Sequence, residues 1–152
     1  MAEIRRAERK DVAAIIALLA DDMLGQSREI VSDPPANEYL AAFEAIDSDP
    51  NQFLAIMSDG AEIVATLQLT FIPGLARRGA LRGQIEAVRV ASSRRGEGLG
   101  ESLFDWAIGE CRRRGCQSVQ LTTDRSRTKA HRFYDRLGFE PSHVGYKLKL
   151  GE

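Results

Sequence analysis

The stretch that decides the fold runs Ile85-Glu86-Ala87-Val88-Arg89-Val90, four further residues, then Arg95-Gly96-Glu97-Gly98-Leu99-Gly100 and Glu101-Ser102-Leu103-Phe104-Asp105-Trp106-Ala107-Ile108. An apolar strand passes into a basic, glycine-rich turn, and the turn opens directly into an amphipathic helix. The glycines at 96, 98 and 100 let backbone N–H groups converge where a Cβ would block them. The start of the next helix adds four amide donors without intrahelical partners and about half a positive charge. Together they predict an anion cradle suited to a phosphate or pyrophosphate.

The spacing excludes two common phosphate loops. A G-x-G-x-x-G pattern would need glycine at 101 or 103, where the chain carries Glu101 and Leu103. No Gly-Lys-Ser/Thr follows, so it is not a Walker loop. An ordinary glycine-rich connection is the plain alternative. The arginine and the immediate helix start argue against it.

At these residues the chain resembles a known family. Arg95-Gly96-Glu97-Gly98-Leu99-Gly100 matches the [Gln/Arg]-x-x-Gly-x-[Gly/Ala] loop of GNAT acyltransferases, and Ile85–Val90 looks like that family's fourth strand. A second block, Ala130-His131-Arg132-Phe133-Tyr134-Asp135-Arg136-Leu137-Gly138-Phe139, resembles the family's Ala-x-x-Phe-Tyr-x-x-x-Gly-Phe segment. With Ser142-His143, it is similar to a branch that includes aminoalkylphosphonate acetyltransferases. The resemblance implies that Arg95, Gly96, Glu97, Gly98, Leu99 and Gly100 hold the pyrophosphate of acetyl-coenzyme A. It also implies that the backbones of Val88 and Val90 receive the pantetheine amides, much as a strand is added to a sheet edge.

Composition bounds the remaining possibilities. The 152 residues fit one domain, 1–152, large enough to bury a core. A net charge of −1 gives no global attraction to nucleic acid or to an anionic membrane. No apolar run approaches membrane-spanning length, and no signal peptide is recognisable at the start. Cys111 and Cys116 have neither a zinc spacing nor a disulfide framework, and no metal site is expected. Two free thiols point to a cytoplasmic setting.

Periodicity gives the order β-α-α-β-β-β-α-β-α-β. Ile4–Ala7 reads as a strand, and Asp11–Leu19 as a helix with Val12, Ile15, Ile16 and Leu19 on one face. A second helix spans Asn37–Ile46, with Tyr39, Leu40, Phe43 and Ile46 on one side. Strands follow at Phe53–Met57, Ile63–Ile72 and Gln84–Val90. Between the last two lies a basic, mobile-looking loop, Leu75–Arg82. The later elements are a helix over Gly100–Arg114, a strand over Ser118–Thr122, a helix over Thr128–Leu137 and an alternating strand over Val144–Leu150. The fold class is therefore α/β of the α+β kind. By resemblance it is the GNAT-type acyltransferase fold, a mixed, strongly twisted sheet with helices on both faces.

Acetyl transfer to an amine needs a proton acceptor, donors for the oxyanion and stabilisation of the departing thiolate. It can proceed directly if both reactants are held together. Glu86 is the candidate base, with partial burial expected to raise its pKa; a purely positioning carboxylate, bonded to loop amides or to Arg82, is the even-handed alternative. By resemblance Tyr134 is the candidate acid beside the coenzyme A sulfur; a core aromatic is the alternative. A backbone N–H near Val88 is the expected oxyanion donor. Arg94 reads as solvent-facing. Arg127, Lys129 or Arg132 could meet the 3′-phosphate. The family's usual cofactor-contacting asparagine is missing, and Thr123 or Ser126 could substitute.

Resemblance assigns the acceptor side to Asp21, Asp22, Met23, Arg28, Glu29, Tyr39 and Leu75–Arg82. Asp21 and Asp22 could attract an ammonium, and Arg77, Arg78 and Arg82 a carboxylate or phosphonate. The expected function is an N-acetyltransferase acting from acetyl-CoA on the primary amine of a small molecule through a ternary complex. Two alternatives stay open: a protein N-terminal or lysine acetyltransferase, and a non-catalytic acyl-CoA-binding module. No nucleic-acid or membrane partner is expected. Homodimerisation through the final strand's edge is left open.

Overall fold

The computed structural model describes residues 2–22 and 24–151. The chain divides into two compact units, Met1–Val119 and Gln120–Glu152. The elements in chain order are β1 (Ala2–Arg6), α1 (Val12–Ala20), α2 (Asn37–Asp47), β2 (Gln52–Asp59), β3 (Glu62–Ile72), α3 (Ala76–Gly79), β4 (Arg82–Val90), α4 (Leu99–Arg113), β5 (Ser118–Gln120) and α5 (Thr128–Arg136). The strands form one sheet in the order β1-β2-β3-β4-β5, and β1 to β4 pair antiparallel. No described helix is long and apolar enough to cross a membrane.

Strand alternation sorts the sheet's two faces. Phe53, Ala55 and Met57 of β2 stand opposite Leu69, Leu67 and Ala65 of β3, and Ile85 of β4 stands opposite Leu69. This face receives α4, whose Leu103, Phe104, Ala107 and Cys111 are buried. Trp106 tilts onto Phe53 with ring centroids 5.1 Å apart. The other face holds Leu54 and Ile56, which join Ala7, Val12, Ile15, Ile16 and Phe43 with Tyr39 and Leu40 in the cluster under α1 and α2. Each large side chain fully buried in these layers contributes roughly 1.5–3 kcal/mol.

One irregularity in β4 reorganises this pattern. Gln68 pairs with Glu86 and Thr66 with Arg89, so Ala87 and Val88 together oppose Leu67. Ala87 adopts φ +55, the left-handed bulge position that usually holds glycine. In a regular strand, residues 86 and 89 would point to opposite faces. The extra residue puts both on the face that carries Thr66, Gln68, α1 and α2.

The start of α1 is fixed by Asp11, which is 3% exposed. Its carboxylate accepts two bonds from the Arg5 guanidinium, at 2.7 and 3.1 Å, and one from the Glu8 amide at 2.7 Å. Burial works to raise the Asp11 pKa, but these donors outweigh it and hold the group below the usual carboxylate range. The ion pair also ties β1 to the helix.

Two expectations need correction. The stretch Leu75–Arg82 is not all irregular loop. Ala76–Gly79 forms a turn in which Arg77, Arg78 and Gly79 are all left-handed, at φ +55, +62 and +76, and Arg82 already belongs to β4. Val144–Leu150 is not a strand: no residue from 140 to 151 is assigned to one. Tyr146, Leu148 and Leu150 are 93%, 86% and 88% exposed. Alternation supplies an apolar face, but a strand also needs a hydrogen-bonding edge, and residues 144–150 have no ladder partner among the described residues.

The bulge and the buried carboxylate each yield a prediction. Ala87 is exposed, so a substitution there reports the backbone alone. Ala87→Val should lower stability by about 1–2 kcal/mol in chemical denaturation, whereas Ala87→Gly should leave it unchanged or higher. Asp11→Ala should cost about 2 kcal/mol. Because the folded-state pKa of Asp11 lies below its unfolded value, its contribution is complete above the unfolded value near 4 and is lost as pH falls through the folded one. Asp11→Asn should therefore flatten the acid limb of a stability–pH curve.

Candidate active site

The glycine-rich turn is anchored at its start, where the Ala91 N–H donates to the Val64 carbonyl at 2.8 Å. Gly96 and Gly98 have φ +86 and +78, and an added Cβ at either would meet nothing within 4 Å. Glycine is needed here for the backbone's sign, not for packing. Gly98 is the N-cap of α4, and the first intrahelical bond runs from the Ser102 N–H to its carbonyl at 3.1 Å. The amides of Leu99, Gly100 and Glu101 lie ahead of that bond, at the positive end of a fifteen-residue helix.

Arg94 does not face solvent as expected. Its guanidinium meets Asp59 at 2.7 Å, Glu62 at 2.9 Å and Glu97 at 3.0 Å. It thereby pins the turn to the β2–β3 hairpin. The Asp59 carboxyl is held below the usual range by the Arg94 hydrogen bond, and the three acids raise the Arg94 pKa. Arg95 donates to the Asp21 carbonyl at 3.2 Å, which fastens the turn on the α1 side.

Asp21 and Asp22 occupy the end of α1. The Asp21 carboxylate accepts the Ser92 N–H at 3.0 Å, and the Ser92 backbone and side-chain bonds keep its pKa low. Asp22 pairs with Arg89 at 3.0 Å, both side chains being nearly buried, and also accepts the Gly25 N–H. These carboxylates are thus committed to internal partners. An ammonium site built on them, as the sequence suggested, would have to displace those bonds. Met23 lies outside the described residues. Tyr39 donates its hydroxyl to Glu29 at 2.9 Å and accepts the Ile30 N–H at 2.9 Å, which organises the segment before α2. Arg28 donates to the Leu24 carbonyl at 3.0 Å.

On β4, Glu86 is exposed, not partly buried as expected. Its carboxylate lies 3.4 Å from the Thr70 hydroxyl, which also lies 3.2 Å from Gln52 Oε1; Gln68 donates to the same oxygen at 2.9 Å. A hydroxyl has one proton, so Thr70 can donate to Gln52 or to Glu86 but not to both. Glu86 is therefore loosely tethered at the end of a polar ladder. Val88 sits in the bulge, and its carbonyl accepts Arg89 Nη1 at 2.8 Å. A ligand bonding that carbonyl would use its second lone pair. Val90 pairs with Ala65 beyond the bulge.

Tyr134 belongs to the smaller unit. It lies on α5, edge-on to Phe133 and Phe139 with centroids 5.7 and 6.2 Å away. Before α5, Ser126 is folded into a turn in which its amide and hydroxyl both donate to Asp124, at 2.9 and 2.6 Å. Thr123 Oγ1 is buried with no hydrogen-bond partner among the described residues. His131 contacts the Asp124 carbonyl at 3.0 Å and His143 the Ser142 hydroxyl at 2.7 Å. Among the described residues, no cluster of three or more His, Cys, Asp or Glu could hold a metal.

Sequence reasoning missed the Arg89–Asp22 pair and the ladder Gln52, Gln68, Thr70. An arginine inside an otherwise apolar strand was the available signal for the first. The ladder had none, because it depends on register.

The chain is similar to known acetyltransferases. The model of the Acetyltransferase (GNAT) family matches residues 13–139. An aminoalkylphosphonate N-acetyltransferase of Salmonella typhimurium is 27% identical over 148 residues, covering 97% of this chain and 91% of that protein. A glucosamine 6-phosphate N-acetyltransferase of Trypanosoma brucei brucei is 36% identical over 88 residues, 58% of each chain. A crystal structure from Bacillus halodurans, described as a transcriptional regulator, superposes with a TM-score of 0.96 at 43% identity, covering 99% of this chain and all of that one. The family match spans most of its length, and the chain belongs to the GNAT acetyltransferase family.

Proposed function

We propose that this protein transfers an acetyl group from acetyl-CoA directly to the primary amine of a small molecule that also carries an acidic group, within a ternary complex. The single observation that carries this reading is the turn itself. Two left-handed glycines, open space over both, and the amides ahead of the first intrahelical bond of α4 form a row of donors suited to a pyrophosphate. Acetyl-CoA supplies the activated acyl group as a thioester. Arg95, Gly96, Glu97, Gly98, Leu99 and Gly100 hold its diphosphate, and the Val88 and Val90 backbones align its pantetheine arm. The Thr123 hydroxyl, buried with no hydrogen-bond partner among the described residues, is better suited than Ser126 to stand in for the family's asparagine.

In this reading Glu86 accepts the amine proton, directly or through water, and its exposure leaves it accessible to an incoming amine. Tyr134 donates a proton to the departing thiolate. One catalytic domain, 1–152, carries both; the family match crosses the boundary between the two units. The acidic group on the acceptor is suggested by the exposed arginines of the left-handed turn, Arg77 and Arg78. Two relatives whose names specify a phosphonate and a sugar phosphate favour the same reading.

Release of free thiol from acetyl-CoA should be seen with a panel of aminophosphonates, amino-sugar phosphates, amino acids, polyamines and peptides, and should be fastest with the small anionic amines. A melting shift with acetyl-CoA but no turnover on any amine or peptide would instead favour a binding module; turnover on peptides alone would favour a protein acetyltransferase. Gly98→Val should weaken acetyl-CoA binding by about tenfold or more, because the left-handed backbone costs about 1–2 kcal/mol outside glycine. Glu86→Gln should lower kcat/KM by about 10²-fold at neutral pH, with the deficit shrinking as pH rises. A deficit that persists at high pH assigns Glu86 to positioning. Tyr134→Phe should reduce kcat by about tenfold or more with little change in KM; full turnover would remove the tyrosine from the reaction.

A further inference from the structure

The C-terminus of α4 carries a chemical group that acetyl transfer does not use. The helix ends in a paired-bond cap: the Cys116 N–H donates to the Cys111 carbonyl at 2.9 Å, and the Gly115 N–H donates to the Arg112 carbonyl at 3.0 Å. Gly115 takes φ +82, which lets the chain reverse. In this motif the residue three places inside the helix end and the second residue beyond it normally make an apolar contact across the cap. Here both positions are cysteine. The two sulfurs converge on Gly83 of β4: an ideal Cβ there would lie 2.4 Å from Cys111 Sγ and 3.6 Å from Cys116 Sγ. The absence of a side chain at Gly83 makes room for the pair. Both sulfurs lie against the same point on β4, so five residues of sequence separation become neighbouring side chains.

We propose that Cys111 and Cys116 form a dithiol site that low-molecular-weight disulfides of the glutathione class convert to an intramolecular disulfide. The two cysteines have unequal roles. Cys111 is 1% exposed, whereas Cys116 is partly exposed. Burial pushes the Cys111 thiol up to about 12. Burial also raises Cys116, opposed there by the neighbouring Cys111 and Arg114. Cys116 is therefore the sulfur that meets the reagent first and ionises more readily. Its thiolate attacks one sulfur of glutathione disulfide, breaking that bond and releasing one glutathione thiolate. Cys111 then loses its proton, and its sulfur attacks Cys116 Sγ, forming the protein disulfide and releasing the second glutathione. Two protein thiols are oxidised and one glutathione disulfide is reduced to two thiols.

The experiment treats the full-length folded protein with glutathione disulfide, quenches by acid, and reads intact mass and the number of alkylatable thiols in denaturant. The wild type should fall in mass by two hydrogen atoms, keep no glutathione and lose both thiols. Trypsin cuts at Arg112, Arg113 and Arg114, so peptides 96–112 and 115–125 should remain joined until a reductant is added. Cys111→Ser should keep one glutathione on Cys116, since no second sulfur displaces it. Cys116→Ser should stay unmodified, because Cys111 is buried. A lasting glutathione adduct on wild-type Cys116, or two thiols still alkylatable after prolonged exposure, would overturn the proposal. The wild-type measurement decides the matter even if a variant fails to fold.

Discussion

The structure turns on one extra residue in β4. By opposing Leu67 with both Ala87 and Val88, the strand resets its alternation and directs Glu86 and Arg89 to the same face. Arg89 can then reach Asp22 at the end of α1, and Glu86 can approach the ladder of Thr70, Gln52 and Gln68. Without the bulge one of the two charges would point at α4, into the layer of Leu103, Phe104 and Ala107, where an unpaired charge is strongly disfavoured. Ala87 adopts a left-handed backbone to make this possible, and it does so at an exposed position where its side chain meets little resistance.

The turn after β4 is held from two sides. Arg94 gathers Asp59, Glu62 and Glu97, while Ser92 and Arg95 bond to Asp21. The amides at the head of α4 are therefore positioned before any anion arrives. A preformed row of donors does not have to be ordered by its ligand, which is the physical advantage of such a cradle. The same bonds connect the turn to the corner between α1 and the segment leading to α2, so the two sides of the candidate site share a common support. Exposed ion pairs contribute little individually. Here the Arg94 side chain is 22% exposed and binds three acids at once, and that network, more than any single pair, restrains the turn.

Much of this was legible in the chain. The helix starts and stops, the β2–β3 hairpin and the strand–turn–helix unit follow from apolar periodicity and glycine placement, and their boundaries shift by only a residue or two. Two motif blocks placed the chain in its family. Val144–Leu150 shows the limit of alternation: the pattern suits a strand, yet residues 144–150 are assigned to none. Arg94 shows the limit of local charge reading, since its three partners come from two strand ends and its own turn.

The sequence alone determined what local rules can determine: which segments are helical or extended, and which glycine-rich turn leads into a helix whose first amides could meet an anion. Tertiary structure decided everything that depends on residues distant in the chain. It set the register that creates the bulge, the pairing of Arg89 with Asp22, the exposure of Glu86, and the meeting of two cysteines over Gly83. The reason is physical: periodicity fixes the face a side chain presents within its own element, while its neighbours across that face depend on how separate elements align.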